Sequence, residues 1–150
     1  MKRKILLIVL SSAVLIALAA AGSLQKGSSK PAKASGSPEG TWKLELYKYS
    51  SQASEFSSRP ETQPRIKIIT GTHFAWFTID DAAGRIIMAA GGTCKMNGST
   101  YTENTDYGLG MDNYLRTSND YTVKVEGDML FLSGDLKGYG KIEEIWQRVK

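Results

Sequence analysis

The stretch SPEGTWKLELYKY, residues 37–49, marks the point where low-complexity sequence gives way to patterned sequence. In this stretch Trp42, Leu44 and Leu46 alternate with more polar residues, which is the period-two pattern of a half-buried β-strand. The opposite face of the predicted strand carries Lys43, Glu45 and Tyr47. Gly40-Thr41-Trp42 at its start places a large aromatic side chain where the patterned part of the chain begins.

Seven further runs downstream show the same short β pattern, bounded by turn residues, and no segment has convincing helical periodicity. The eight predicted strands cover 41–49, 65–70, 73–79, 85–95, 99–107, 120–126, 129–133 and 141–149. This pattern predicts an all-β barrel or sandwich.

Long and short connections alternate along the predicted strands. The long connections are 50–64, 80–84, 108–119 and 134–140, and the tight turns are 71–72, 97–98 and 127–128. In an up-and-down barrel successive connections lie at opposite ends, so the long ones would form one mouth. The pattern therefore favours an eight-stranded antiparallel up-and-down barrel, whose lumen holds side chains or one small ligand.

The charge of the chain is unevenly distributed. The formal net charge is +4, but no acidic residue precedes Glu39, and from Glu39 onward there are 13 basic and 15 acidic residues. The patterned part is therefore slightly acidic, which argues against a nucleic-acid-binding function.

The N-terminal arm predicts export. Lys2-Arg3-Lys4 precedes the uncharged apolar run 5–21, which ends in three alanines. We interpret 1–21 as a signal peptide that sends the protein to the periplasm or the medium; the alternative is an uncleaved membrane anchor. Residues 22–38 resemble a flexible Gly/Ser/Lys/Pro linker, and 39–150 would form the folded domain. The single cysteine, Cys94, excludes an internal disulfide.

The two ends of the predicted barrel sequence should meet. Strands one and eight become neighbours when a barrel closes. Strand one begins, and strand eight ends, at the end of the barrel where the tight turns lie. Trp42 and Arg148 would then lie at similar depth, with the guanidinium over the indole face. Both are predicted to be structural residues.

Gly40-Thr41-Trp42 together with Arg148 resembles the lipocalin-like (calycin) signature. The phrases "PRIKIITGTHFAWFTID", "GGTCKMNGSTYTE" and "VKVEGDMLFLSG" resemble exported bacterial lipocalin-like domains of unknown function, across nearly all of 39–150. The resemblance implies the barrel but no established ligand or activity. Relatives are often lipoproteins, and the chain departs from that pattern because no cysteine lies directly after its apolar run.

Alternation along strands five, six and eight predicts a lumen that contains two carboxylates among aromatic rings. The predicted ligand-binding residues are Tyr101, Glu103, Tyr107, Tyr121, Glu144 and Trp146. A buried carboxylate must be paired, hydrogen-bonded or protonated. It could anchor a ligand, or it could belong to an internal network with Tyr and Arg partners; a bulge could also turn Glu144 outward.

Other chemistry has little support in the sequence. His73 is the only histidine and could be an axial haem ligand, but a structural or surface role is the default, and no cofactor or metal site is predicted. Cys94 fits a small core residue better than a reactive thiol. We find no recognisable catalytic motif and predict no enzyme activity.

The predicted function is the binding of a small, partly apolar molecule in the lumen. The alternative is an envelope protein-interaction or inhibitor module that uses the long loops while the barrel is packed solid. The volume of the lumen distinguishes the two.

Overall fold

A computed structural model of the chain describes residues 36–50 and 54–150. The predicted signal peptide and most of the predicted linker lie outside these residues. The strands are β1 (Gly40–Tyr49), β2 (Arg65–Ile69), β3 (His73–Asp80), β4 (Arg85–Asn97), β5 (Thr100–Leu109), β6 (Thr117–Glu126), β7 (Met129–Leu136) and β8 (Gly140–Arg148). Among the described residues, no helical segment has the length and hydrophobicity of a membrane span.

The eight strands form one closed barrel in chain order, and every neighbouring pair is antiparallel. The prediction of an all-β, eight-stranded up-and-down barrel is confirmed. Closure occurs between β1 and β8, where Trp42 is the register partner of Arg148. The Arg148 guanidinium lies 4.0 Å from the centroid of the Trp42 ring, so the predicted contact is present.

The connections at the mouth are shorter than predicted, with one exception. The β5–β6 connection is 110–116 and includes a 3-10 helix, Asp112–Tyr114, while the β7–β8 connection is only 137–139. The prediction was wrong because polar residues such as Thr117 and Asp135 continue the backbone ladder beyond the apolar pattern. The connection after β1 stays long and is tied to that strand by paired hydrogen bonds between Tyr47 and Ser57.

A β-bulge in β1 corrects the predicted facing of its second half. Leu44 pairs with Trp146 and Leu46 with Ile145, so Glu45 is an extra residue in the ladder. An extra residue shifts the alternation by one position and turns the later side chains of the strand to the other face. Leu46 is therefore outside and 37% exposed, contrary to the prediction, whereas Tyr47 packs against the core.

The closed end of the barrel contains several of the most deeply buried side chains. Its largest fully buried side chains include Trp42, Tyr101 and Leu130, each with no exposed surface. Tight turns join the strands there, and residues 36–39 lie at the same end, where the Trp42 indole N–H donates to the carbonyl of Pro38 at 2.8 Å. The cavity inside the lumen lies toward the other end.

Candidate functional site

A cavity of about 350 Å³ extends from the middle of the lumen to the mouth connections. Arg59 from the β1–β2 connection, Met111 and Tyr114 from the β5–β6 connection, and Tyr139 from the β7–β8 connection form its rim. Sites for small molecules are usually about 300–1,000 Å³ and mostly apolar, with a few placed polar groups. The cavity falls at the lower end of that range.

Four of the six predicted ligand-binding residues line this cavity. They are Glu103, Tyr121, Glu144 and Trp146. Tyr101 also points inward, but it is buried below the cavity in the packed closed end and lines a separate pocket near residues 36–39. Alternation along β5, β6 and β8 was thus sufficient to place five of the six side chains inside the barrel.

Tyr107 does not belong to the site, and its predicted inward facing was wrong. Gly91 pairs with Tyr107 while Gly92 pairs with Thr105, so Asp106 is an extra residue in β5. The bulge turns Tyr107 outward, where it is 58% exposed and its ring lies over Gly91. Thr105, which precedes the bulge, faces inward like Glu103 and lines the cavity.

Glu103 is paired inside the barrel with a residue that the sequence did not single out. Lys67 Nζ lies 2.7 Å from Glu103 Oε1, and the two side chains are only 4% and 5% exposed. Aromatic rings surround the ammonium, the nearest being Trp146 with its centroid 5.4 Å away. A buried ion pair of this kind must be well hydrogen-bonded to offset its desolvation, and it forms the charged floor of the cavity.

Glu144 is held by two neutral donors. The Tyr49 hydroxyl donates to Oε1 at 2.6 Å, and the Trp146 indole N–H donates to Oε2 at 3.1 Å. Burial raises the pKa of Tyr49, and the charge of Glu144 raises it further, so the phenol stays protonated as a donor. Glu144 faces the lumen, and the bulge that could have turned it outward lies instead at Glu45 on the neighbouring strand.

Arg65 lies in the wall close to the mouth. Its Nε donates to Thr78 Oγ1 at 2.9 Å, and its Nη1 donates to the Tyr49 hydroxyl at 3.1 Å. The guanidinium stacks over Trp76, 4.5 Å from the ring centroid. Tyr49 therefore bridges Arg65 and Glu144, accepting from the cation and donating to the anion.

The structure contains the internal network that was one of the two interpretations of the carboxylates. Both carboxylates have partners within the protein: Glu103 pairs with Lys67, and Glu144 accepts from Tyr49 and Trp146. Arg65 joins the network only through the Tyr49 hydroxyl. The network does not fill the lumen, because Arg65, Lys67, Glu103 and Glu144 all line the open cavity. A structural role for these groups and a polar lining for a ligand are consequently compatible.

The sequence did not predict that the basic residues of β2 face the lumen, because the hydrophobic pattern of this strand indicates the opposite orientation. Ile66 and Ile68 suggest an apolar face, yet Arg65, Lys67 and Ile69 are the buried residues and Ile68 is 40% exposed. One sequence signal was available for β1, where Tyr47-Lys48-Tyr49 alternates out of phase with Trp42-Lys43-Leu44. For β2, the one available signal was indirect: the carboxylates predicted inside the barrel require cationic partners, and Arg65 and Lys67 could supply them.

His73 and Cys94 lie away from the cavity. His73 is exposed on the outside of β3, and its Nδ1 is 2.8 Å from Thr72 Oγ1, so it cannot ligate a haem in the lumen. Cys94 is buried at the closed end with Sγ 3.6 Å from the Thr70 carbonyl, and burial raises the pKa of its thiol. No cluster of three metal-ligating side chains occurs in the ranges 36–50 and 54–150.

Comparison with known protein families finds no family model that matches the chain, and comparison with curated proteins finds no significant match.

Proposed function

We propose that this protein binds one small, partly apolar molecule inside the barrel. The molecule enters through the mouth between the β1–β2, β5–β6 and β7–β8 connections. The observation that carries the proposal is the cavity of about 350 Å³ that the core leaves open. The lumen of an eight-stranded barrel is filled by side chains or holds one small ligand, and here the side chains leave a space within the size range of small-molecule sites.

The lining supports a ligand with both apolar and polar parts. Leu132, Leu136 and Ile142 from β7 and β8 supply aliphatic surface, and the rings of Tyr114 and Tyr139 stand 5.5 Å apart at the rim. β2, which only β1 separates from β8, supplies Arg65 and Lys67. An apolar body would fit against the aliphatic side chains, and a polar group would face the two cations.

The alternative, a protein-interaction module acting through its loops, required a solid barrel. The open cavity counts against that premise, and the short β7–β8 connection reduces the loop surface available to a partner. We further propose that the chain is an exported lipocalin-like protein. Export rests on the N-terminal sequence and the family on the Gly40–Trp42 and Arg148 signature.

Native mass spectrometry of the purified protein tests the proposal, with a mass adduct of one bound small molecule as the expected result. A second test titrates an uncharged, environment-sensitive naphthalene dye. We expect Ala90→Phe, which projects into the cavity, to abolish dye binding. Ala89→Phe adds the same ring to the outer face of the same strand and should bind like the wild type.

Thermal melting of both variants shows whether the fold is retained. Equal dye binding by a folded Ala90→Phe and a folded Ala89→Phe would contradict binding in the lumen.

A further inference from the structure

The charges that line the cavity do not balance. Three cationic side chains, Arg59, Arg65 and Lys67, face it, against two carboxylates, Glu103 and Glu144. Lys67 and Glu103 form a contact ion pair at 2.7 Å, so their charges compensate each other at the floor. The excess positive charge lies nearer the mouth, where the cavity lining has two guanidinium groups but only one further carboxylate, that of Glu144.

Neither guanidinium makes a direct ion pair. Within the described residues, no carboxylate oxygen lies within 4.0 Å of Arg59 or Arg65. The segments outside those residues, 1–35 and 51–53, contain no Asp or Glu. Any anion that pairs directly with these two arginines in the arrangement described must therefore come from outside the chain.

The contacts that the two arginines do make are with neutral groups. Arg59 Nε donates to the Gln63 carbonyl at 3.0 Å. Arg65 donates to two hydroxyl groups and to Met88 Sδ at 3.5 Å, and a thioether sulfur is a weak acceptor. A guanidinium carries five N–H donors in a fixed planar fork that matches a carboxylate. Both side chains thus keep the capacity to bind an anion.

The two guanidinium groups also act on each other. Burial lowers the pKa of Arg59, and the positive charge of Arg65 lowers it further. Like charges facing one cavity are unfavourable, and an anion placed there would remove the repulsion. The aromatic ring of Trp76 under Arg65 holds that guanidinium in place for such a contact.

We propose that the ligand is an organic anion: an apolar body with one acidic group, such as a carboxylate, that binds to Arg59 and Arg65 near the mouth. The inference rests on the proposed function and further specifies that the ligand carries a negative charge. The body lies against the aliphatic side chains of β7 and β8, and the acidic group replaces the missing carboxylate partner.

A head-group series tests this on the wild-type protein. Decanoate, decan-1-ol and decylamine share one apolar chain and carry an anionic, a neutral and a cationic group. Isothermal titration calorimetry should show that decanoate binds about tenfold or more tighter than decanol, because the free energy of a hydrogen bond to a charged group corresponds to about that ratio of affinities. Decylamine should bind most weakly. If all three bind equally, the anion inference fails and the proposed function stands. If none binds, the proposed function itself loses its support.

Two variants of equal charge locate the acidic group. Arg59→Gln should weaken decanoate binding about tenfold and decanol binding by clearly less, so that the preference for decanoate over decanol falls. Arg85→Gln removes the same charge from an exposed position at the start of β4 that does not line the cavity, and it should leave both affinities unchanged. Equal losses of decanoate binding in the two variants would indicate general attraction by net charge and would overturn the assigned site.

Discussion

Arg148 covers the face of Trp42 at the closure between the first and last strands, with 4.0 Å between the guanidinium carbon and the ring centroid. Its Nη1 also donates to the carbonyl of Glu39 at 2.9 Å, which ties the chain before β1 to the end of β8. Trp42 has no exposed surface. The pair therefore joins the packing of the closed end to the closing of the barrel.

We expect Trp42→Ala to lower the free energy of unfolding by about 3–5 kcal/mol, the usual cost of truncating a buried aromatic side chain. Arg148→Ala should cost less, because part of the guanidinium remains near solvent. The double variant should show coupling of about 0.5–2 kcal/mol, the range for a cation–π contact. Chemical denaturation of the four proteins measures the cycle. Additive losses would show that the contact contributes nothing to stability.

Gly40 is required by the same contact. Its φ is 139°, in the region that favours glycine, and an added Cβ would collide with Arg148 Nη1. Gly40→Ala should therefore cost about 1–3 kcal/mol from backbone strain, with the collision in addition. Gly98→Ala is the matched control, since Gly98 has φ 61° with nothing within 4 Å of an added Cβ. The difference between the two variants should shrink when both are made in Arg148→Ala.

The buried ion pair on the cavity floor should respond to single and double substitution in opposite ways. Lys67→Met or Glu103→Gln alone leaves one uncompensated buried charge and should cost about 3–5 kcal/mol. The double variant should be more stable than either single variant, because it removes both charges. Urea denaturation gives the three values.

An exposed pair provides the control for that experiment. Lys124 and Glu126 lie 2.7 Å apart with side chains 63% and 57% exposed. Their coupling should stay below about 1 kcal/mol, as for surface pairs in general. A coupling for Lys67 and Glu103 no larger than this would contradict the strong pairing inside the barrel.

Three inward-facing phenols, two buried and one partly buried, predict unfolding in alkaline solution. Burial is the first cause that raises the pKa of Tyr49, Tyr101 and Tyr121 above the ordinary value of 10.0. Because the folded-state pKa lies above the unfolded one, their contribution is fully present below about pH 10. It is lost as the pH rises further, at about 1.4 kcal/mol per pH unit for each phenol.

Denaturant unfolding between about pH 10 and 12 should show this slope, and Tyr121→Phe should reduce it by about one third. Phenolate absorbance followed in parallel should rise with unfolding for the buried groups. Ionisation of all the phenols without loss of the fold would contradict the inward positions of these three side chains.

The sequence by itself determined the strand number and the up-and-down order, from which the contact of Trp42 with Arg148 follows once the barrel closes. These features come from local chemistry, because period-two alternation marks each strand and turn residues such as Asn97-Gly98 fix where the chain reverses. Alternation also placed Tyr101, Glu103, Tyr121, Glu144 and Trp146 inside, since no bulge interrupts the segments that carry them.

Only the tertiary structure decided which side chains complete the site. The extra residues Glu45 and Asp106 are defined by pairing with neighbouring strands, and each reverses the facing of the later residues in its strand, so Tyr49 entered the lumen and Tyr107 left it. Lys67 is inside against the hydrophobic pattern of β2 because Glu103, 36 residues away in sequence, compensates its charge across the barrel. Strand register and the pairing of distant residues are set only when the barrel closes, so the sequence of a single strand does not reveal them.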